Sequence, residues 1–184
     1  MFNEIFIVLD LNSFVLSSIV QPFSINALIA FFVTIACLFI SAFVSASEVA
    51  FFSLSPKDFE RMDEEKNLID EKIKLLLQKP EHLLATILIT NNLVNVSIIV
   101  LSSYIINQTL DFSAFPILGF IFETILITFI ILLVSEIMPK IFAQQHGLRM
   151  ARFGAGILKT LRSVLKPFVW VLVSSTSIVN KRLA

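Results

Sequence analysis

The sequence predicts an all-α integral membrane protein with three transmembrane helices per subunit, and three observations carry that prediction. Hydrophobic residues make up 57% of the chain and charged ones only 15%, whereas a soluble globular domain lies nearer half and a quarter. Phe occurs 19 times and Gly four times, which favours long apolar helices over the glycine-rich turns of a barrel. All 14 Lys and Arg fall into two stretches, residues 57–79 and 140–184, leaving 1–56 and 80–139 without a positive charge. Basic flanks stay in the cytoplasm, so both stretches belong on that side, with the N-terminus and the loop around Asp111 outside. One span before residue 57 and two between 80 and 140 satisfy that map.

The elements follow in order. Residues 1–24 are apolar but broken by Asp10, Asn12 and Pro22; with no positive n-region and no A-x-A site they read as an extracytoplasmic, interface-lying segment rather than a signal peptide. Residues 25–146 form the three-span domain. The first span covers about 25–54, its apolar part degrading into "SASE" before Pro56 closes it. Residues 57–81 place Phe59, Met62, Leu68, Ile69, Ile73 and Leu76 at helical spacing among charges, a cytoplasmic amphipathic connection. The second span covers about 83–107. Pro116 suits the first turn of the third, which runs to about 138. Residues 147–184 contain no acid, and Lys159, Arg162 and Lys166 share one helical face, so this segment reads as a basic juxtamembrane belt helix on the inner leaflet. Cys37 stands alone, which excludes an internal disulfide. Neither a dinucleotide nor a P-loop glycine pattern is present, no nucleophile–base pair suggests an enzyme, and nothing suggests a nucleic-acid partner.

Three clusters of polar residues interrupt the spans. Ser41, Ser45 and Glu48 share a face of the first. In the second, "TNNLVN" puts Asn91 and Asn95 on one face with Asn92 flanking. In the third, Ser135 and Glu136 precede Pro139. A carboxylate within a bilayer normally faces the bundle interior with a partner or an ion pathway. In an α-helix the amide of residue 139 would bond the carbonyl of Ser135; proline has no amide, which bares that oxygen beside the Glu136 carboxylate. Six oxygens at about 2.1 Å suit Mg2+, and Asn91 and Ser45 offer two more. Plainer readings stand beside this one. Glu136 snorkels to the interface and pairs with Lys140, the asparagines hold helices together, and the serines are small residues for close packing. His82 and His146 are isolated near span ends and form no metal pair.

"FVSASEVAFFSLSP" (43–56), "LLATILITNNLVNVSI" (83–98) and "SEIMPKIFAQQHG" (135–147) resemble, in order and spacing, the transmembrane domain of the CorC/CNNM (cyclin M) magnesium-transporter family. That resemblance covers roughly residues 25–180. It implies a homodimer of three-span subunits in a bacterial inner membrane, exporting Mg2+ through an inward-facing cavity that holds the dehydrated ion, with Na+ as the exchanged ion. By position it assigns ligand roles to Ser45, Asn91 and Glu136, backbone oxygen to Ser135, and a further backbone oxygen to Ala46. Ser135 and Thr90 replace glycines of the family pattern, and Glu123 is an additional carboxylate, about 20 Å from Glu136 by helical rise. Longer relatives continue into nucleotide-binding CBS domains, which these residues do not contain. "VAFFSLSP" also resembles the family's gliding-motility branch, which implies an alternative role as a membrane scaffold of a gliding or secretion apparatus.

Overall fold

The computed structural model describes residues 24–65, 67–112 and 115–183, and every long element among them is helical. The order is α1 (Ile25–Phe52), α2 (Pro56–Glu65), α3 (Leu68–Leu77), α4 (Pro80–Thr109), α5 (Pro116–Ile130), a π-helical segment (Ile131–Ile137), α6 (Met138–Gln145), α7 (Gly147–Val164) and α8 (Lys166–Leu183). Three helices are long and apolar enough to cross a membrane: Ile25–Phe52, Pro80–Thr109 and the composite Pro116–Gln145. The expected N-terminal segment falls almost wholly outside the described residues.

Helix limits follow local chemistry. Ser55 and Asp58 bracket the first turn of α2, with both the amide and the hydroxyl of Ser55 donating to Asp58 Oδ2, at 2.8 and 2.6 Å. Only the Asp58 half of a capping box is present, since the Asp58 amide bonds the Ser55 carbonyl rather than its hydroxyl, and Pro56 fills the first helical position, where an amide has no partner to lose. Asn67 caps α3 by accepting from the Ile69 amide at 3.1 Å. The second span begins at Pro80, earlier than residue 83, because Pro80 and Glu81 make a favourable first turn.

Two compact units divide the described residues, those of 24–37 with 96–130 and those of 38–95 with 131–183. In the first, Gly119 lets the chain close on Phe112: a Cβ there would stand 2.6 Å from two Phe112 carbons. Many large side chains of this unit, among them Phe31, Phe32, Phe120 and Phe129, are exposed, as lipid-facing residues would be.

The second unit holds a continuous apolar core. Val44, Ala50 and Phe51 of α1 pack with Met62 of α2, Ile73 and Leu76 of α3, Leu83 and Ile87 of α4, Ala143 of α6, and Ala151, Ala155 and Leu158 of α7. Gly154 lets α7 approach α1 closely, its missing Cβ lying 3.0 Å from Ser47 Oγ. Phe43 and Phe153 meet edge-to-face beside it, centroids 5.7 Å apart.

Four expectations are corrected. The first span does not break at "SASE", because α1 is unbroken through Phe52 and Ser47 donates to the Phe43 carbonyl within it; Ala46 is therefore buried in a continuing helix. The third span is not α-helical throughout. Leu68 and Ile69 are exposed although their spacing matched an apolar face, while Asp70 is buried. The segment after residue 147 is two helices interrupted at Leu165, since Pro167 has no amide to continue the first.

Candidate functional site

The polar residues of α1, α4 and the π-helical segment meet within the second unit. Ser41 is fully buried, and its hydroxyl lies 2.8 Å from Asn91 Oδ1 and 2.7 Å from Asn95 Oδ1. Asn95 turns its amide nitrogen to Glu136 Oε1 at 3.2 Å. A chain of contacts thus runs Asn91–Ser41–Asn95–Glu136 across three elements.

The proton count in this chain is short. A serine hydroxyl carries one hydrogen, yet two amide oxygens approach it at bonding distance. Donation to Glu136 fixes the Asn95 amide with its oxygen toward Ser41. Asn91 then decides the chemistry: with oxygen inward, three oxygens share one proton and the cluster is electron-rich; with nitrogen inward, it closes as an ordinary hydrogen-bond network. Ser45, one turn along α1, is 1% exposed, and among the described residues its hydroxyl has no hydrogen-bond partner. Buried hydroxyls are rarely left so.

Glu136 is half-buried, and among the described residues no Lys or Arg pairs with it. Lys140, the nearest candidate, is committed to Glu48, with Nζ 3.1 Å from Oε2. That overturns pairing of Glu136 with Lys140, and gives Glu48 a partner outside the cluster.

The backbone beside Glu136 also departs from expectation. In the i→i+5 register of Ile131–Ile137, the amide of residue 139 would answer Val134, not Ser135. Proline supplies none. Where the register tightens at Met138, the carbonyls of Val134, Ser135 and Glu136 have the single amide of Lys140 among them. The baring of oxygen predicted for Ser135 thus extends to its neighbours. The Ser135 hydroxyl itself is buried and donates to the Ile131 carbonyl at 2.7 Å.

Of the residues singled out by sequence, the structure joins Asn91, Asn95, Ser41 and Glu136 by hydrogen bonds; the Ser45 hydroxyl bonds to none of them. Asn92 is exposed, and Glu123 belongs to the other unit. Among the described residues no three His, Cys, Asp or Glu gather as a metal centre, so any cation here would meet one carboxylate and several neutral oxygens. Sequence reasoning missed a second polar junction. Asp70, 2% exposed, receives two hydrogen bonds of 2.8 Å from Arg152, which also reaches Glu65 at 2.8 Å. Its only sequence signal was an acid in the first turn of α3. The Asp70 hydrogen bond, foremost, raises the Arg152 pKa above its ordinary value.

Comparison with known proteins gives this geometry a family. Residues 32–184 match the model described as the cyclin M transmembrane N-terminal domain. The chain is 37% identical over 142 residues to a UPF0053 protein of Haemophilus influenzae, covering 77% of this chain and 33% of that protein. It is 31% identical over 137 residues to the UPF0053 inner membrane protein YfjD of Escherichia coli, covering 74% and 31%. The chain therefore spans about a third of the length of these curated relatives. With every residue of the polar cluster inside the matched region, the chain belongs to the CorC/CNNM (cyclin M) transmembrane family.

Proposed function

We propose that this chain is a Mg2+ transport domain in which Ser41, Asn91, Asn95 and Glu136, with carbonyls of the π-helical segment, form the ion's resting place. The observation that carries the reading is a buried junction of Ser41, Asn91 and Asn95 beside a carboxylate that no Lys or Arg among the described residues neutralises. Such a carboxylate marks an ion pathway. Dehydrating Mg2+ demands a full set of oxygens in return, and the bared carbonyls with the unpartnered Ser45 hydroxyl supply more. In this reading an ion gradient drives transport, with Na+ the exchanged ion and export the direction. The working unit is a homodimer. The name of the Escherichia coli relative supports an inner-membrane location.

Calorimetric titration of the purified chain with Mg2+ tests the site. Glu136→Gln, nearly isosteric, removes the charge and should abolish binding while leaving the chain folded; unchanged binding refutes the reading. The hydrogen-bonded asparagines also favour a second reading, a membrane scaffold in which they only hold helices together. Asn91→Leu separates the two. A scaffold loses assembly and shows no Mg2+ response in the parent chain, whereas a transport domain loses Mg2+ affinity.

A further inference from the structure

Away from the polar cluster, the second unit contains an open recess of about 920 Å3. Lys79 lines it from just before α4 and His82 from its first turn, Lys159 and Arg162 from the last turns of α7, and Lys166 and Trp170 from α8. Leu76 and Val169, each 1% exposed, are part of the same lining and tie the recess to the folded core.

Charge pairing distinguishes these cations from others in the unit. Arg61, Lys74, Lys140 and Arg152 each hold a carboxylate. Among the described residues no carboxylate lies within salt-bridge distance of Lys79, Lys159, Arg162 or Lys166, although α2 and α3 are rich in acids. Four unpaired cations facing one recess repel one another unless an anion joins them. A guanidinium fork and lysine ammonium groups suit the oxygens of a phosphate.

The remaining lining decides which phosphate. Trp170 is 65% exposed, and Val171 and Leu75 stand exposed beside it. Tryptophan favours the headgroup level of a bilayer, where its ring is in apolar material and its N–H is wet. Two residues of its lining, Lys79 and His82, flank Pro80, where the apolar helix α4 begins. A soluble anion would satisfy the cations and leave these apolar groups in water.

We infer that this recess binds the phosphate headgroup of an anionic phospholipid, with Lys79, Lys159, Arg162 and Lys166 on the phosphate and Trp170 against the start of the acyl chains. This site is independent of the ion site in chemistry and position.

Native mass spectrometry of the 184-residue chain in detergent, offered phosphatidylglycerol or phosphatidylcholine of identical acyl chains, tests it. Phosphatidylglycerol should be retained at least tenfold better. Arg162→Gln and Lys166→Gln should each reduce that preference about fivefold, the weight one cation carries at an anionic membrane surface, with a smaller effect on phosphatidylcholine, whose choline offsets its phosphate. Lys79→Gln, on the lining but outside α7 and α8, should do the same, so a variant misfolded at the α7–α8 junction does not decide the outcome. Equal retention of the two lipids, or an undiminished preference in Lys79→Gln, overturns the proposal. So does saturation of the recess by inorganic phosphate with no lipid preference, which would assign it to a soluble anion.

Discussion

At the scale of single residues, burial changes what a charge does. Asp70 was one of many acids in a hydrophilic stretch, yet it is nearly inaccessible and held by both arms of the Arg152 guanidinium. Removing one member of a buried pair strands the other. Arg152→Met should therefore destabilise the chain by about 3–5 kcal/mol in denaturant unfolding, whereas Arg152→Met with Asp70→Leu should recover most of that loss. Arg152→Lys does not substitute, because an ammonium has no fork. Outside the membrane spans two carboxyls are held below the ordinary carboxylate range: Asp58 by the Ser55 hydroxyl and then its amide, Glu65 by Arg61 and then Arg152. A depressed folded-state pKa stabilises the fold above the unfolded value and loses that contribution as pH falls through the folded value. The thermal midpoint should accordingly decline as pH falls below the ordinary carboxylate range, through the lowered pKa of both groups. Ser55→Ala should flatten the Asp58 part of that decline in a midpoint-versus-pH series.

At the scale of elements, sequence pattern located helices better than it described their interiors. Apolar run length and Pro116 sufficed for the third span, because twenty or so apolar residues have few alternatives in a bilayer. The π register inside it was not legible: a widened turn arises from how neighbouring side chains pack, and no residue type encodes it. Serine and glutamate at 45–48 suggested a break in α1, but tertiary contacts on both sides keep the helix intact. Gly154 shows the same dependence. In sequence it is one of four glycines; in the fold it is where α7 lies against Ser47 and Phe51. Gly154→Leu should force these helices apart and destabilise the chain by roughly 1–3 kcal/mol, the usual penalty for overpacking. Gly156, with nothing within 4 Å of its missing Cβ, is the control: Gly156→Ala should leave the unfolding midpoint unchanged or raise it, since alanine is the better helix former.

At the scale of the whole molecule, charge distribution predicts topology. Basic residues confined to 57–79 and 140–184 predict that those stretches face the cytoplasm and the Asp111 loop the outside. Because Cys37 is the chain's one cysteine, a Cys37→Ala background makes labelling unambiguous. In intact cells a membrane-impermeant maleimide should modify Asp111→Cys and spare Lys72→Cys; the reverse pattern would invert the topology.

The sequence by itself determined the class of protein, the number of spans and the neighbourhood of the candidate site, because hydrophobic length and polar interruptions within it are local properties. It named Asn91, Ser45 and Glu136, and it put Ser41 and Asn95 in second rank. Only the tertiary structure made Ser41 and Asn95 the connecting members, diverted Lys140 to Glu48, buried Asp70 against Arg152, and gathered Lys79 with cations from α7 and α8 around one recess. Each of those outcomes joins residues distant in sequence, and which side chains meet is decided by helix packing, to which the spacing within any one segment is blind.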